Sequence, residues 1–355
     1  MGSPPREPPG AGAGAAQPGA AQPAAAQPAV EVEVDDGHSV ANDSSLGSDD
    51  QASDSTSLRS SILKYEWKHG RRYHSYHSGA YNFPNDDEEQ DRLDMIHHVF
   101  YRLMSDKLFL APIDLAGKKV LDIGTGTGIW PIQLGDEHPE CGEVVGNDLS
   151  AIQPDWVPPN VKFVVDDVEQ DWVREDAPFD YVHCRYMAGS IKDWPRLVKQ
   201  IFQNLRPGGH VELQESANTL YSEDGSLKPD DYQVKMMDGL MEACDKIGRT
   251  MDPAPHFERW LKEAGFEGVE VSRFKLPIGP WPKDKRLKEV GSLMQVNFIE
   301  GVAGFTAALF TDVLGWEARE VHVLNSGVRN AARNRNVHPM FDFLVVVGRK
   351  PLGAE

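Results

Sequence analysis

Cysteine is scarce in this chain of 355 residues: only Cys141, Cys184 and Cys244 occur. They are too few and too far apart for a disulfide framework or a CxxC metal knuckle, which predicts a reducing compartment, cytoplasmic or nuclear, and not a secreted protein. No apolar run approaches the ~18 residues of a membrane span. The N-terminus, with Pro4, Pro5, Pro8 and Pro9 and no apolar segment, does not have the form of a secretory signal. Basic side chains are outnumbered, 36 Lys and Arg against 55 Asp and Glu, for a formal net charge of −19. That balance argues against direct nucleic-acid binding, because phosphate contact needs clustered Lys and Arg. Hydrophobic residues make up 40% of the chain, enough for the core of one large or two ordinary domains.

Large apolar residues are sparse in the first 60 positions. Residues 1–30 hold ten Ala, seven Pro and five Gly, with the block Ala-Ala-Gln-Pro three times at a five-residue period. Residues 38–61 add nine Ser interleaved with Asp43, Asp49, Asp50 and Asp54. Such a stretch cannot offset its ordering entropy by burial, so 1–60 is expected to be a disordered, low-complexity acidic tail, either a solvated spacer or a phosphorylated regulatory arm.

Order is expected from about residue 61. A lead-in over 61–112 contains a helix at 86–106, opened by Asp86, Asp87, Glu88 and Glu89 and carrying Leu93, Ile96, Phe100 and Leu103 at helical spacing. From 113 to 352, short β-rich runs at 119–123, 143–147, 161–165, 179–184 and 210–214 alternate with helix-compatible or loop segments, the pattern of a parallel sheet with crossovers. Helices are predicted at about 230–247 and 253–264, and strands at 269–274 and 343–347. The last two strands are about 65 residues apart, too far for a structureless loop, so a helical insertion is expected at about 278–340.

The segment from Val120 to Trp130 reads Val-Leu-Asp-Ile-Gly-Thr-Gly-Thr-Gly-Ile-Trp, a glycine-rich turn between a strand and a helix. Glycines there let the backbone approach a ligand and leave amides at the helix N-terminus facing it. A dinucleotide fingerprint needs a third glycine three residues after the second, and both registers fail, at Ile129 and at Pro131. The Gly-Lys-Ser/Thr ending of a phosphate-binding Walker loop is also absent. Asp122, two residues before Gly124, suits a cationic amino group better than a diphosphate. Asp148 closes the second strand 24 residues after Gly124, where it can accept from both hydroxyls of a ribose. Asp167 lies 19 residues further on and could accept from an adenine amino group while the Val168 amide donates to the ring.

The series Asp122-x-Gly124-x-Gly126-x-Gly128, Asp148, Asp167 and the later Leu205-Arg206-Pro207-Gly208-Gly209 resembles the class I S-adenosylmethionine-dependent methyltransferases. The wording is similar to their fungal LaeA-like branch in four further places: 70–74, 81–86, 148–154 and 185–191. The resemblance implies a Rossmann-like α/β fold: seven strands, mostly parallel, with an antiparallel last strand inserted beside the fifth and helices on both faces. By the same resemblance S-adenosyl-L-methionine is the cofactor. Asp122 and the turn of Gly124, Thr125, Gly126 and Gly128 would hold its methionine part, Asp148 its ribose and Leu149 one adenine face. Asp167 and Val168 would read the adenine edge, with Arg185 and Tyr73 as further contacts. One departure stands out: Pro154, Pro158 and Pro159 require the usual helix between the second and third strands to be short or missing.

Methyl transfer needs positioning, desolvation and, for a hydroxyl or amine acceptor, help in removing a proton. The candidates for that proton are Glu215, taken as the more exposed, and His183, for which a buried structural role is an equal reading. The segment around Arg71, Arg72, Tyr73 and His74 is either an amphipathic lead-in or a lid with Arg72, Tyr73 or Tyr81 near the cofactor carboxylate. Trp281, Phe298, Phe305, Phe310 and Trp316 could line an acceptor pocket or be core. His97 and His98 point about 100° apart on their helix, and no metal site is expected. Two function classes remain. One is an enzyme that methylates an O or N nucleophile of a small molecule in fungal secondary metabolism. The other is a LaeA-like nuclear regulator acting within a protein complex.

Overall fold

The computed structural model describes residues 1–2, 65–74, 83–172 and 178–354. Most of the expected tail, together with Tyr81, lies outside them. A two-stranded hairpin comes first, β1 (Tyr65–Lys68) and β2 (Arg71–His74). His69 and Gly70 form its turn with φ of 50° and 75°, the two left-handed residues of a type I′ connection. The Lys68-His69-Gly70-Arg71 sequence carried that signal, which the lead-in reading missed. The hairpin is tied to the start of helix α1 (Asp87–Leu103) by both its arginines: Arg71 Nε and Nη2 donate to the two oxygens of Asp86 at 2.5 and 2.6 Å, and Arg72 pairs with Asp87 at 3.3 Å. Asp86 also caps α1, accepting the Glu89 amide at 3.1 Å.

The rest alternates: β3 (Lys119–Ile123), α2 (Ile129–Glu137), β4 (Glu143–Asp148), β5 (Val161–Val165), β6 (Phe179–Arg185), α3 (Trp194–Asn204), β7 (Leu205–Tyr221). Then come α4 (Tyr232–Lys246), α5 (Phe257–Ala264), β8 (Glu267–Pro277), α6 (Lys285–Ala308), α7 (Ala318–Ala332) and β9 (Met340–Arg349). Seven strands form one sheet in the order β5-β4-β3-β6-β7-β9-β8. β3 to β7 pair in parallel, and β9 runs antiparallel to both β7 and β8. This is the expected seven-stranded fold, with α6 and α7 as the helical insertion between the last two strands.

The alternation of β9 explains why it sits inside the sheet. Phe341, Phe343 and Val345 join one buried cluster with α1, α4, α6 and α7, while Leu344 and Val346 join another with α3 and α5. Only a strand covered on both faces can bury both sets. β7 is longer than the run 210–214 in the sequence. It starts at Leu205, where the pairing with β6 shifts register between Phe179 and Tyr181, and it continues to Tyr221 along β9. No helix forms between β4 and β5, as the three prolines require. The helix Lys285–Val313, α6 with the π turn after it, is by length and composition long and apolar enough to cross a membrane, although Gln295, Asn297 and Glu300 interrupt its apolar run in the sequence. Half of its most apolar window is buried inside this fold. The order of the sheet reverses between β3 and β6, which opens a crevice beyond their carboxyl ends.

Candidate functional site

A cavity of about 1170 Å³, counting its open mouth, fills that crevice. It is bordered by Asp122, Gly124, Thr125 and Gly126 after β3, Asp148 and Leu149 after β4, Asp167 and Val168 after β5, and His183 and Arg185 on β6. The sequence had singled out all of these. Gly124 has φ 67°, and a Cβ there would lie 2.1 Å from the Met187 sulfur. Gly128 does not border the cavity: it caps α2 with φ 82°, and its missing Cβ makes room for the Phe163 ring. Its place in the structure is helix entry and packing.

Asp122 was expected to meet a cationic ligand directly. Its two oxygens are instead held at 2.7 Å each, by His183 Nδ1 and Thr125 Oγ1. Because an ionised Asp can only accept, a neutral His183 carries its proton on Nδ1 and its lone pair on Nε2. The imidazole stacks on Trp130, ring centroids 3.9 Å apart and planes within 3°. His183 Nε2 is buried without a hydrogen-bond partner, and so is Arg185 Nη1. Arg185 Nη2 donates to His97 Nδ1 at 2.7 Å, while the other nitrogen of that ring lies 2.7 Å from Gln133 Oε1. Burial first, then the guanidinium, push His97 down to about 3, so its ring is neutral. Burial also lowers Arg185 to about 10. Arg185 is thus a partly buried cation with no carboxylate in ion-pair contact among the described residues and its buried Nη1 unused.

Asp148 accepts the Gly126 amide at 2.9 Å and the Ser150 amide at 2.8 Å. Burial raises its carboxyl to about 6 despite those two bonds. Asp167 accepts from the Glu169 amide at 2.9 Å and Gln170 Nε2 at 3.2 Å. The Val168 carbonyl is fixed by Trp172 and Gln200, which orients the same loop.

Besides Gly128, two predicted site residues are not brought to the cavity. Glu215, expected to be exposed, is 1% exposed. β7 does not end there, and the loop after β6 covers it, so its carboxylate accepts the Ala188 and Ser216 amides at 2.8 and 3.0 Å. Burial holds it up at about 7. Tyr73 is buried near Arg71, Asp86, Glu89 and Asp312 and does not border the cavity. The lead-in reaches the cavity instead through Pro84 and Asn85, and Asn85 Nδ2 lies 3.4 Å from Ser150 Oγ. His97, Leu93 and Met187 also line it and had not been selected. His97 had been weighed only as a metal ligand. Of the late aromatics, Phe298 and Phe305 border a second cavity, while Trp281 and Phe310 are buried outside it and Trp316 is 37% exposed.

Residues 95–271 match the family model described as a methyltransferase domain. The chain is 61% identical over 321 residues to the methyltransferase pytC of Aspergillus terreus, covering 90% of this chain and 96% of that protein. It is 33% identical over 291 residues to the secondary metabolism regulator laeA of Aspergillus fumigatus, covering 80% and 76%. It is also 33% identical over 267 residues to the probable methyltransferase tdiE of Emericella nidulans, covering 75% and 83%.

Proposed function

This chain belongs to the S-adenosylmethionine-dependent methyltransferases of the fungal LaeA-like branch, and from that premise we propose that it transfers a methyl group to an oxygen or nitrogen of a small molecule in secondary metabolism. The cofactor lies along the carboxyl ends of the strands. Asp167 and Val168 take the adenine edge, Leu149 one adenine face and Asp148 the ribose hydroxyls. The methionine end meets β6. Identity to pytC well above that to laeA favours the enzyme over a regulator in a protein complex.

One observation supports this reading most strongly. Two residues apart on β6, one buried acceptor (His183 Nε2) and one buried donor (Arg185 Nη1) have no partner. Unsatisfied buried polar atoms are costly. An α-amino acid head group satisfies both, its ammonium donating to His183 and its carboxylate accepting from Arg185. Asp122 then acts through His183, fixing the tautomer whose lone pair faces the ammonium. When bound, the cofactor would supply an activated methyl group, which an acceptor's lone pair would take as the carbon–sulfur bond pair stays with sulfur, the acceptor giving up its proton.

The test compares S-adenosylhomocysteine with 5′-methylthioadenosine, which lacks the amino-acid head. Arg185→Met and His183→Phe should each weaken the first by about tenfold or more and the second by little. Equal losses for both ligands, or none, would remove the head-group assignment.

A further inference from the structure

A second cavity of about 690 Å³ adjoins the first, and Tyr186 and Ser190 border both. α1, α4, α6, β7 and β9 build its walls, largely apolar through Phe83, Met237, Leu240, Met294, Phe298 and Phe305. Two of these are methionines, whose unbranched side chains adapt to an irregular occupant. Its charged lining residues cancel. Arg92 and Glu89, each 3% exposed at the side chain, form a two-point pair at 2.9 and 2.6 Å. The remaining Arg92 nitrogen, Nη1, donates to Asn297 Oδ1 at 3.0 Å and to the Tyr186 hydroxyl at 3.3 Å. No charge is left over to neutralise an ionic guest, and an unpaired ion in such surroundings is strongly disfavoured.

The junction is shaped deliberately. Tyr186 has φ 59°, a left-handed conformation that a tyrosine rarely adopts. Its amide donates to the Gln214 carbonyl at 3.1 Å, and the next turn is fixed by the Ala188 amide on Glu215. This locks the strained residue in place, its ring between the cavities and its hydroxyl on Arg92. The buried Glu215 therefore shapes the junction without touching either cavity.

We propose that the second cavity is the methyl-acceptor site and that it takes an uncharged, largely apolar molecule whose nucleophilic atom reaches the first cavity past Tyr186 and Ser190. The assignment rests on the first cavity holding the cofactor. It also explains why a strained residue stands at the boundary: in-line transfer needs the two molecules to meet at one fixed opening.

The probes are two dyes with the same ring frame. N-phenyl-1-naphthylamine is neutral and 8-anilinonaphthalene-1-sulfonate is anionic. With the full chain saturated by S-adenosylhomocysteine, the neutral dye should bind once per chain and at least about tenfold more tightly than the anionic one. Met294→Trp on α6 and Leu240→Trp on α4 fill the cavity from different sides. Each should weaken the neutral dye by at least about tenfold while S-adenosylhomocysteine affinity, which also reports folding, stays within about twofold. Equal binding of the two dyes by the wild type, displacement of the neutral dye by S-adenosylhomocysteine, or undiminished dye binding in a folded variant would overturn the proposal. Failure of the wild type to bind S-adenosylhomocysteine would instead overturn the cofactor assignment.

Discussion

Replacing Asp148 by asparagine separates cofactor recognition from fold stability. In the unliganded protein its carboxylate holds the amides of Gly126 and Ser150, yet burial raises its pKa from 3.8 to about 6. At about 1.36 kcal/mol per pKa unit, the ionised form costs the folded state on the order of 3 kcal/mol near neutrality. Asparagine removes that cost but turns an amino group toward one of the two amides, forfeiting a charge-assisted bond worth about 1.5–3 kcal/mol. The two effects oppose each other, so the thermal midpoint should move by only a few degrees. Cofactor binding has no such offset. The ribose hydroxyls lose an ionised acceptor, and the Kd for S-adenosylhomocysteine should rise about ten- to more than a hundredfold. The pH dependence separates the two quantities further. Because the folded pKa is raised, the stability contributed by Asp148 is present below about 3.8 and is lost as pH rises through about 6. Affinity runs the opposite way, holding above about 6 and weakening as Asp148 protonates below it. Calorimetric titrations between pH 5 and 8 should show that slope in the wild type and none in the variant. Wild-type affinity in the variant, or the same pH slope in both proteins, would refute the role of Asp148.

Gly124→Val should abolish measurable S-adenosylhomocysteine binding, since its Cβ would fall 2.1 Å from the Met187 sulfur at φ 67°; circular dichroism and calorimetry together would show a folded protein that does not bind. Glu215→Gln should flatten the pH dependence of stability. The raised Glu215 carboxyl contributes stability that is present below 4.5 and lost as pH rises through about 7, readable as thermal midpoints across that window. Arg71→Met should loosen the hairpin, which keeps only its Arg72 and His69 contacts, seen as faster hydrogen exchange confined to residues 65–74, with the midpoint of the body unchanged.

The lining of the first cavity was legible because each of its parts is local. Asp122 and the glycine turn are contiguous, and Asp148 and Asp167 each close a strand that its own residues announce. What a carboxylate does at such a position was less legible. Asp122 and Glu215 are both acids near the carboxyl end of a buried strand, yet one lines the cavity and the other is sealed beneath a loop. The difference lies in how far each strand continues: β3 stops at Ile123, whereas β7 runs on through the polar Ser216 and Asn218 because β9 pairs with it. Pairing with a strand more than a hundred residues away leaves no periodic mark on the sequence, so the short β-rich run ending at 214 reads as a strand end. Tyr73 was misplaced for a related reason: the side of a hairpin that a residue occupies depends on its turn, and His69-Gly70 had not been read as one. The acceptor side shows this limit most fully. Its walls draw Phe83, Arg92, Tyr186, Ser216, Met237, Phe298 and Phe341 from separate elements, and of these only Phe298, one of five late aromatics, is marked in the sequence. A site that binds the same cofactor across a family can be written as a short motif, whereas a site fitted to one acceptor is written in tertiary packing. The residues that distinguish this enzyme from its relatives are therefore to be sought on α4, α6 and the turn at Tyr186, and only to a small degree in the glycine loop.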